Sequence, residues 1–263
     1  VFDSVAPAVT VSEVANEVDG CSVADAPAVA TTPAALQALG FAFADACTNT
    51  ADLVVNVTAD TAGTCPTVIT RVYTVTDACG NVSEEMTHII NIDDNENPAI
   101  SGAIASLTID GCDATALAAY PIATSADELL ALGGITLVDN CTPTAALTVQ
   151  SSEEIAGECP IVVTRTYTVT DGCGNVSNEI TQVINIQDTT NPVFTAEIPE
   201  QNLTSGNGHF VIPDLTALIL DNISDNCTDV DEIAISQTPE AGTAATQSTT
   251  VTVTITDNCD NSS

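Results

Sequence analysis

Lysine is absent from the 263-residue chain, and Arg71 and Arg165 are its only strong cations. Set against 36 acidic residues, they leave a formal net charge of −34. A field of that sign repels polyphosphates and anionic headgroups, which argues against nucleic acid or an acidic membrane as partner. It concentrates cations instead. The missing lysines also exclude Schiff-base chemistry, a lysine nucleophile and Lys–Asn isopeptide cross-links. Tryptophan is absent and aromatics make up 3%, so a core has to be assembled from Val, Ile, Leu, Ala and Thr. That β-branched supply favours strands. No apolar run approaches the ~18 residues of a spanning helix, so membrane insertion is not expected. No signal peptide is visible and the chain opens on Val1, which reads as a processed or excised piece of something longer. G-x-S-x-G, H-E-x-x-H and P-loop motifs are missing too. His88 and His209 stand outside any Cys or Asp/His constellation and read as surface residues. Nothing separates a general acid from a general base among the many carboxylates, and a non-enzyme is expected.

What is present is repetition. Arg71–Asp94, "RVYTVTDACGNVSEEMTHIINIDD", matches Arg165–Asp188, "RTYTVTDGCGNVSNEITQVINIQD", at 17 of 24 positions. Cys47, Cys65 and Cys79 recur 94 residues later as Cys141, Cys159 and Cys173, and Cys21 recurs 91 later as Cys112. Two return once more, 86 residues on, as Cys227 and Cys259. The junctions "DSVAP", "DNENP" and "DTTNP" repeat as well. Self-similarity of this kind sets the organisation before any local signal. The chain divides into three modules, 1–94, 95–188 and 189–263, the last without the equivalent of the final strand. A hydrophobic fraction of 44% argues for folded modules despite the charge.

Within a module the alternation of "IVVTRTYTVTD" predicts a long half-buried strand, with "EITQVINIQD" as its partner. "SLTIDGC" and "LTVQSSEEI" read as further strands. One short helix is expected in "TSADELLALGG", capped by Ser125 and stopped at Gly133, and its counterpart begins at Pro33. Many strands and one short helix in about 90 residues suggest an all-β sandwich.

Ten cysteines without C-x₂₋₄-C spacing point to disulfides rather than zinc. The third module keeps the second and fourth cysteines and lacks the first and third. Loss as a pair suggests pairing with each other, which predicts Cys47–Cys79, Cys141–Cys173, Cys227–Cys259, Cys21–Cys65 and Cys112–Cys159, all within modules.

Asp lies two places before the second and fourth cysteines of every module: Asp45 and Asp77, Asp139 and Asp171, Asp225 and Asp257. Asp19 and Asp110 precede the first cysteine in the same way. If the last two strands form a hairpin, Asp77, Asp171 and Asp257 end at the entrance pole of their modules. The predicted disulfides draw Asp45, Asp139 and Asp225 to the same pole, beside the linker residues Asp3, Asp94 and Asp188. Asp19 and Asp110 fall near the exit. Junction 1–2 then gathers Asp19, Asp93, Asp94, Asp139 and Asp171, and junction 2–3 gathers Asp110, Asp188, Asp225 and Asp257. So many carboxylates repel one another at low dielectric, and Ca²⁺, which takes 6–8 oxygens in flexible geometry, relieves the repulsion. Asn95, Asn97, Asn140, Asn191 and Asn226 are placed to add oxygens. Asp and Asn also suit turns for their own sake, by capping backbone N–H groups.

"DNC", "TYTVTDGCGN" and "INIQDTTNP" resemble hyalin-repeat modules, and the wording is similar to repeats of very large Bacteroidota surface adhesins, gliding-motility adhesins among them. The resemblance spans all three modules. It implies immunoglobulin-like sandwiches in an extended tandem array, secreted to the cell surface, with adhesion or fibre building as the role. "DNENP" is similar to the calcium-stiffened linkers of cadherins. The expectation is a stalk segment stiffened by intramodule disulfides and junction calcium, whose partners are neighbouring modules, other copies in a fibre or a surface glycan. A glycan-binding adhesin tip, using the Arg/Tyr strand face, and accessory modules of a secreted hydrolase are the alternatives.

Overall fold

The computed structural model describes residues 3–203 and 208–263. The first segment contributes β1 (Ala8–Val11), β2 (Glu13–Asp19), α1 (Pro33–Ala38), β3 (Ala42–Ala44), β4 (Val54–Ala62), β5 (Thr67–Thr76) and β6 (Met86–Asp93). The second repeats that order with β7 (Ala99–Gly102), β8 (Leu107–Asp110), α2 (Ala126–Ala131), β9 (Ile135–Val138), β10 (Thr148–Ala156), β11 (Ile161–Thr170) and β12 (Ile180–Gln187). The protein is all-β, with one short α-helix per repeat.

Each repeat is a two-layer, immunoglobulin-like sandwich. One sheet runs β4-β5-β6-β2, antiparallel except for the parallel β2–β6 edge, and the other is the antiparallel pair β1–β3. The first strand is thus split: Ser12 separates β1 from β2 and carries the chain from one layer to the other. The second repeat has the same arrangement in β10-β11-β12-β8 and β7–β9. In β5 the alternation of Ile69, Arg71, Tyr73 and Val75 puts all four inward. Leu36 of α1 and Met86 of β6 close on Tyr73 from the other side. In the second repeat Leu129 of α2 packs with Leu137, Tyr167 and Val169. Burying one such leucine stabilises by roughly 1.5–3 kcal/mol. Ser125 caps α2 by accepting from Glu128 N at 3.3 Å, and Thr32 caps α1 through Ala35 N at 3.2 Å.

The third repeat is thinner: β13 (Val193–Phe194), β14 (Phe210–Val211), α3 (Thr216–Leu220), β15 (Ile223–Ser224), β16 (Ala234–Thr238), β17 (Ala244–Ala245) and β18 (Thr252–Thr256). Its strands pair as β13–β15, β14–β17 and β16–β18 around Leu215, Ile219, Ile223, Ile233 and Ile255. Among the described residues β18, the counterpart of β11, meets only Ser262 and Ser263, and no strand, on the side where β11 meets β12. Every strand pairing among them falls inside 1–94, 95–188 or 189–263.

Because β6 and β12 run into the exit linkers, β5 and β11 run the opposite way and end at the entrance pole. A tight turn follows each of these and β18, closed by the bridges Thr76–Val82, Thr170–Val176 and Thr256–Ser262. Gly80 and Gly174 take φ of 91° and 96° in these turns, and the third copy puts Asp260 there at φ 66°. Asp is among the few residues with a side chain that visit this region.

Candidate functional site at the module junctions

The disulfides cross the junctions. Cys21 is bonded to Cys141, Cys65 to Cys173, Cys112 to Cys227 and Cys159 to Cys259. None of the five intramodule pairs expected from the repeats is formed, and Cys47 and Cys79 are free and exposed. The reason lies in strand direction. Cys21 follows β2, which runs parallel to β6, and Cys65 sits in the β4–β5 turn, so both stand at the exit pole. Cys141 follows β9 and Cys173 follows β11, at the entrance pole of the next module. First and third cysteines therefore face second and fourth cysteines across the boundary. The Cα atoms of the four pairs lie 4.9, 5.2, 4.9 and 5.4 Å apart, within the range disulfides span.

Each junction also holds a carboxylate triad, two of whose members accept from the backbone N–H of a bridged cysteine. Asp94, Asp139 and Asp171 bring one oxygen each within 4.8 Å of one another, as do Asp188, Asp225 and Asp257. Asp3, Asp45 and Asp77 form the same group at the first entrance. The hairpin geometry predicts the place of Asp77, Asp171 and Asp257; the expectation for Asp45, Asp139 and Asp225 rests on intramodule disulfides that are not formed, and it is the preceding strands β3, β9 and β15 that end at this pole. Each acid also caps backbone. Asp139 Oδ1 accepts from Cys141 N at 3.0 Å and Thr142 N at 2.5 Å. Asp171 Oδ1 accepts from Cys173 N and Asn175 N, both at 2.8 Å, and its Oδ2 from Asn175 Nδ2 at 2.8 Å. Burial raises the Asp171 pKa, but these donors outweigh it and leave the carboxyl below its usual range. The Asn81 amide is the leading cause of the same lowering at Asp77.

Turn capping does not use every oxygen. Asp94 Oδ2 and Asp139 Oδ2 at one junction, and Asp188 Oδ2 and Asp225 Oδ1 at the other, are out of solvent and accept no hydrogen bond. Asp94 and Asp188 are only 3% and 1% exposed. A buried charge without a partner costs several kcal/mol, and each junction holds two such oxygens on residues of one triad. One hard cation with Ca–O distances of about 2.3–2.6 Å reaches all three carboxylates of a triad at once. The residues therefore fit calcium: Asp94, Asp139 and Asp171 at one junction, Asp188, Asp225 and Asp257 at the other.

The remaining expected ligands have other roles. Asp19 Oδ1 accepts from Asn95 N at 3.2 Å, and Asp110 Oδ1 from Thr189 N at 3.0 Å and Thr189 Oγ1 at 2.7 Å. Both tie down the linker instead of joining a triad, and the Thr189 hydroxyl leads the lowering of the Asp110 pKa. Asp93 faces the Cys65–Cys173 bridge, with Oδ1 3.2 Å from Cys65 Sγ. Asn140 and Asn226 present amide nitrogens, not oxygens, to Asp94 and Asp188, each at 3.1 Å. Asn81, Asn175 and Asn261 were not singled out by the sequence reading. Their amides bridge the turn carboxylate to the carbonyl of Asp3, Asp94 or Asp188 at 3.3, 2.8 and 3.1 Å. An Asn four places after Asp in all three copies was the signal available.

The Arg/Tyr face is interior. Arg71, Tyr73, Arg165 and Tyr167 are all buried; Arg165 Nε donates to Glu153 Oε2 at 2.7 Å and Arg71 Nη1 to the Ala28 carbonyl at 3.3 Å. A ligand cannot reach these rings. His88 is also buried, not at the surface, and shares a hydrogen bond with Asn16 Oδ1 at 2.7 Å. His209 is exposed.

No known protein-family model matches the chain, and no curated protein matches it. Solved structures to which it is similar include human protocadherin-24 EC1-2, at 10% identity and a TM-score of 0.30 over 71% of this chain and 100% of that one. Extracellular cadherin domains 1–4 of protocadherin gamma B7 give 12% and 0.29 over 98% and 74%. The human desmocollin-1 ectodomain gives 11% and 0.23 over 98% and 57%.

Proposed function

We propose that the chain is a non-enzymatic stalk or fibre segment of a secreted cell-surface adhesin, of the hyalin-repeat kind found in gliding-type adhesins. Its modules are held at fixed angles by paired disulfides and by calcium. The observation that carries this reading is the coincidence, at both covered junctions, of two crossing disulfides with a carboxylate triad that holds two donorless buried oxygens. Cross-links placed between modules rather than inside them serve the relative orientation of neighbours. Disulfides in this number also belong to an oxidising compartment, in keeping with secretion.

Calorimetric titration of the chelated protein with CaCl₂, followed by melting and small-angle scattering with and without chelator, tests the reading. Two tight sites and a weaker third are expected, because Asp3 is less buried than Asp94 and Asp188. Calcium at about 100-fold over its Kd should stabilise each filled junction by about 2.7 kcal/mol. Identical melting points and scattering curves in calcium and in chelator would remove calcium from the proposal.

A further inference from the structure

Among the described residues no module lies across the entrance face of the first module, yet that face is built like the two that are covered. Asp45 Oδ1 accepts from Cys47 N at 2.9 Å and Thr48 N at 2.6 Å, as Asp139 and Asp225 do for their own cysteines and threonines. Thr48 Oγ1 accepts from Ala78 N at 3.3 Å, matching Thr142 with Gly172 N at 3.0 Å and Thr228 with Asn258 N at 3.3 Å. On the two covered faces, the cysteines of these turns are bonded to a preceding module; on the first face, Cys47 and Cys79 are exposed thiols. The orphaned carboxylate oxygens occur at the covered faces, where the facing module excludes water.

We propose that this face is a docking surface for the exit pole of a further module of the same repeat, which joins Cys47 and Cys79 through two disulfides. The occupant is defined by the two covered junctions. It carries one cysteine after an edge strand, as in Asp19-Gly20-Cys21 and Asp110-Gly111-Cys112, and one in a Cys-Pro turn, as in Cys65-Pro66 and Cys159-Pro160. The third module of a second copy is not that occupant, since its only cysteines, Cys227 and Cys259, are at its own entrance. Each bond forms by exchange with a disulfide-bearing oxidant of the dithiol-oxidase class. A Cys47 or Cys79 thiolate attacks the oxidant's disulfide, and the incoming module's thiolate displaces the oxidant from the mixed disulfide. The oxidant leaves as a dithiol carrying the two electrons and two protons. The inference stands on the disulfide pattern and does not depend on calcium.

A fusion that places a copy of residues 95–187 directly before Asp3 of the intact chain tests it. Disulfide mapping after cleavage at acidic residues is expected to link the added copy of Cys112 to Cys47 and that of Cys159 to Cys79, which leaves only the added copies of Cys141 and Cys173, at the new entrance face, as free thiols. A folded added module alongside a Cys47–Cys79 bond, or alongside two free thiols at these positions, overturns the proposal. A second measurement needs only the unaltered chain, incubated with oxidised glutathione. One glutathione on each of Cys47 and Cys79 supports two separately directed thiols. A Cys47–Cys79 disulfide, or two thiols that remain unreactive, counts against them.

Discussion

Asp94 has two carboxylate oxygens with opposite situations. Oδ1 accepts from Glu96 N at 3.2 Å and Asn140 Nδ2 at 3.1 Å, while Oδ2 is buried without a donor. Asp94→Asn should therefore change sign with conditions. In calcium it removes a ligand and lowers the melting point; in chelator it removes buried repulsion and raises it. A loss of stability under both conditions would show that the junction does not hold a cation. Acid acts through the capped oxygens. The Asp77, Asp110 and Asp171 carboxyls titrate below their usual range, so the unfolded chain binds protons first as pH falls. Their contribution is present above the unfolded value of about 3.9 and is lost on acidification through the folded values. Melting of the chelated protein should be level above about pH 5 and fall below about pH 4, and Asp171→Asn should shrink that fall. Asp77, Asp171 and Asp257 were legible in the sequence because a hairpin fixes which pole they reach; Asp45, Asp139 and Asp225 reach the same pole without the intramodule disulfides on which that expectation rests. Asp19, Asp93 and Asp110 were not separable from them, since the spacing is the same whether an Asp binds a cation or caps a linker.

Strands β5 and β11 and helix α2 follow their residue patterns closely, and their energetics are correspondingly local. Ser125→Ala should lower stability by about 1 kcal/mol through the lost cap, and Leu129→Ala by about 2–5 kcal/mol through the cavity it leaves, both read by denaturant melts. Asp260→Gly should raise the stability of the third repeat by about 1 kcal/mol, since it relieves a left-handed residue with a side chain. His88 shows where pattern should have overruled residue type. It shares the inward phase of β6 with Met86, Ile90 and Ile92, opposite Arg71, so the alternation "MTHIINID" already places it inside. Gln182 fills the matching position opposite Arg165 and accepts from the Tyr167 hydroxyl at 3.3 Å. A polar pair in the sandwich core is invisible to hydrophobic counting because its partner lies on another strand.

Over the whole molecule, the sequence left the disulfide pairing underdetermined. The joint loss of the first and third cysteines fits mutual pairing, and it fits equally a shared role in reaching the next module. Both schemes put the same cysteines at the same poles, so only the facing of two modules decides between them. Each crossing bond closes 100 to 120 residues, worth about 4–5 kcal/mol in the chain-entropy model. In the double variant Cys21→Ser/Cys65→Ser, scattering should broaden on chelation, whereas the parent chain should change far less. The pairing also bears on tension that enters through Cys79, from a preceding module bonded there. Cys65 and Cys79 bracket β5, while Cys159 and Cys173 bracket β11. A covalent line therefore runs from Cys79 along β5 to Cys65, across to Cys173, back along β11 to Cys159 and across to Cys259. Strand residues at ~3.3 Å each are already near the ~3.6 Å limit of a taut chain. A module of about 90 residues could otherwise release roughly 300 Å on unravelling. Tension borne by these two core strands and their sulfur bridges bypasses the rest of each module, so this segment should behave as a tether of nearly fixed length.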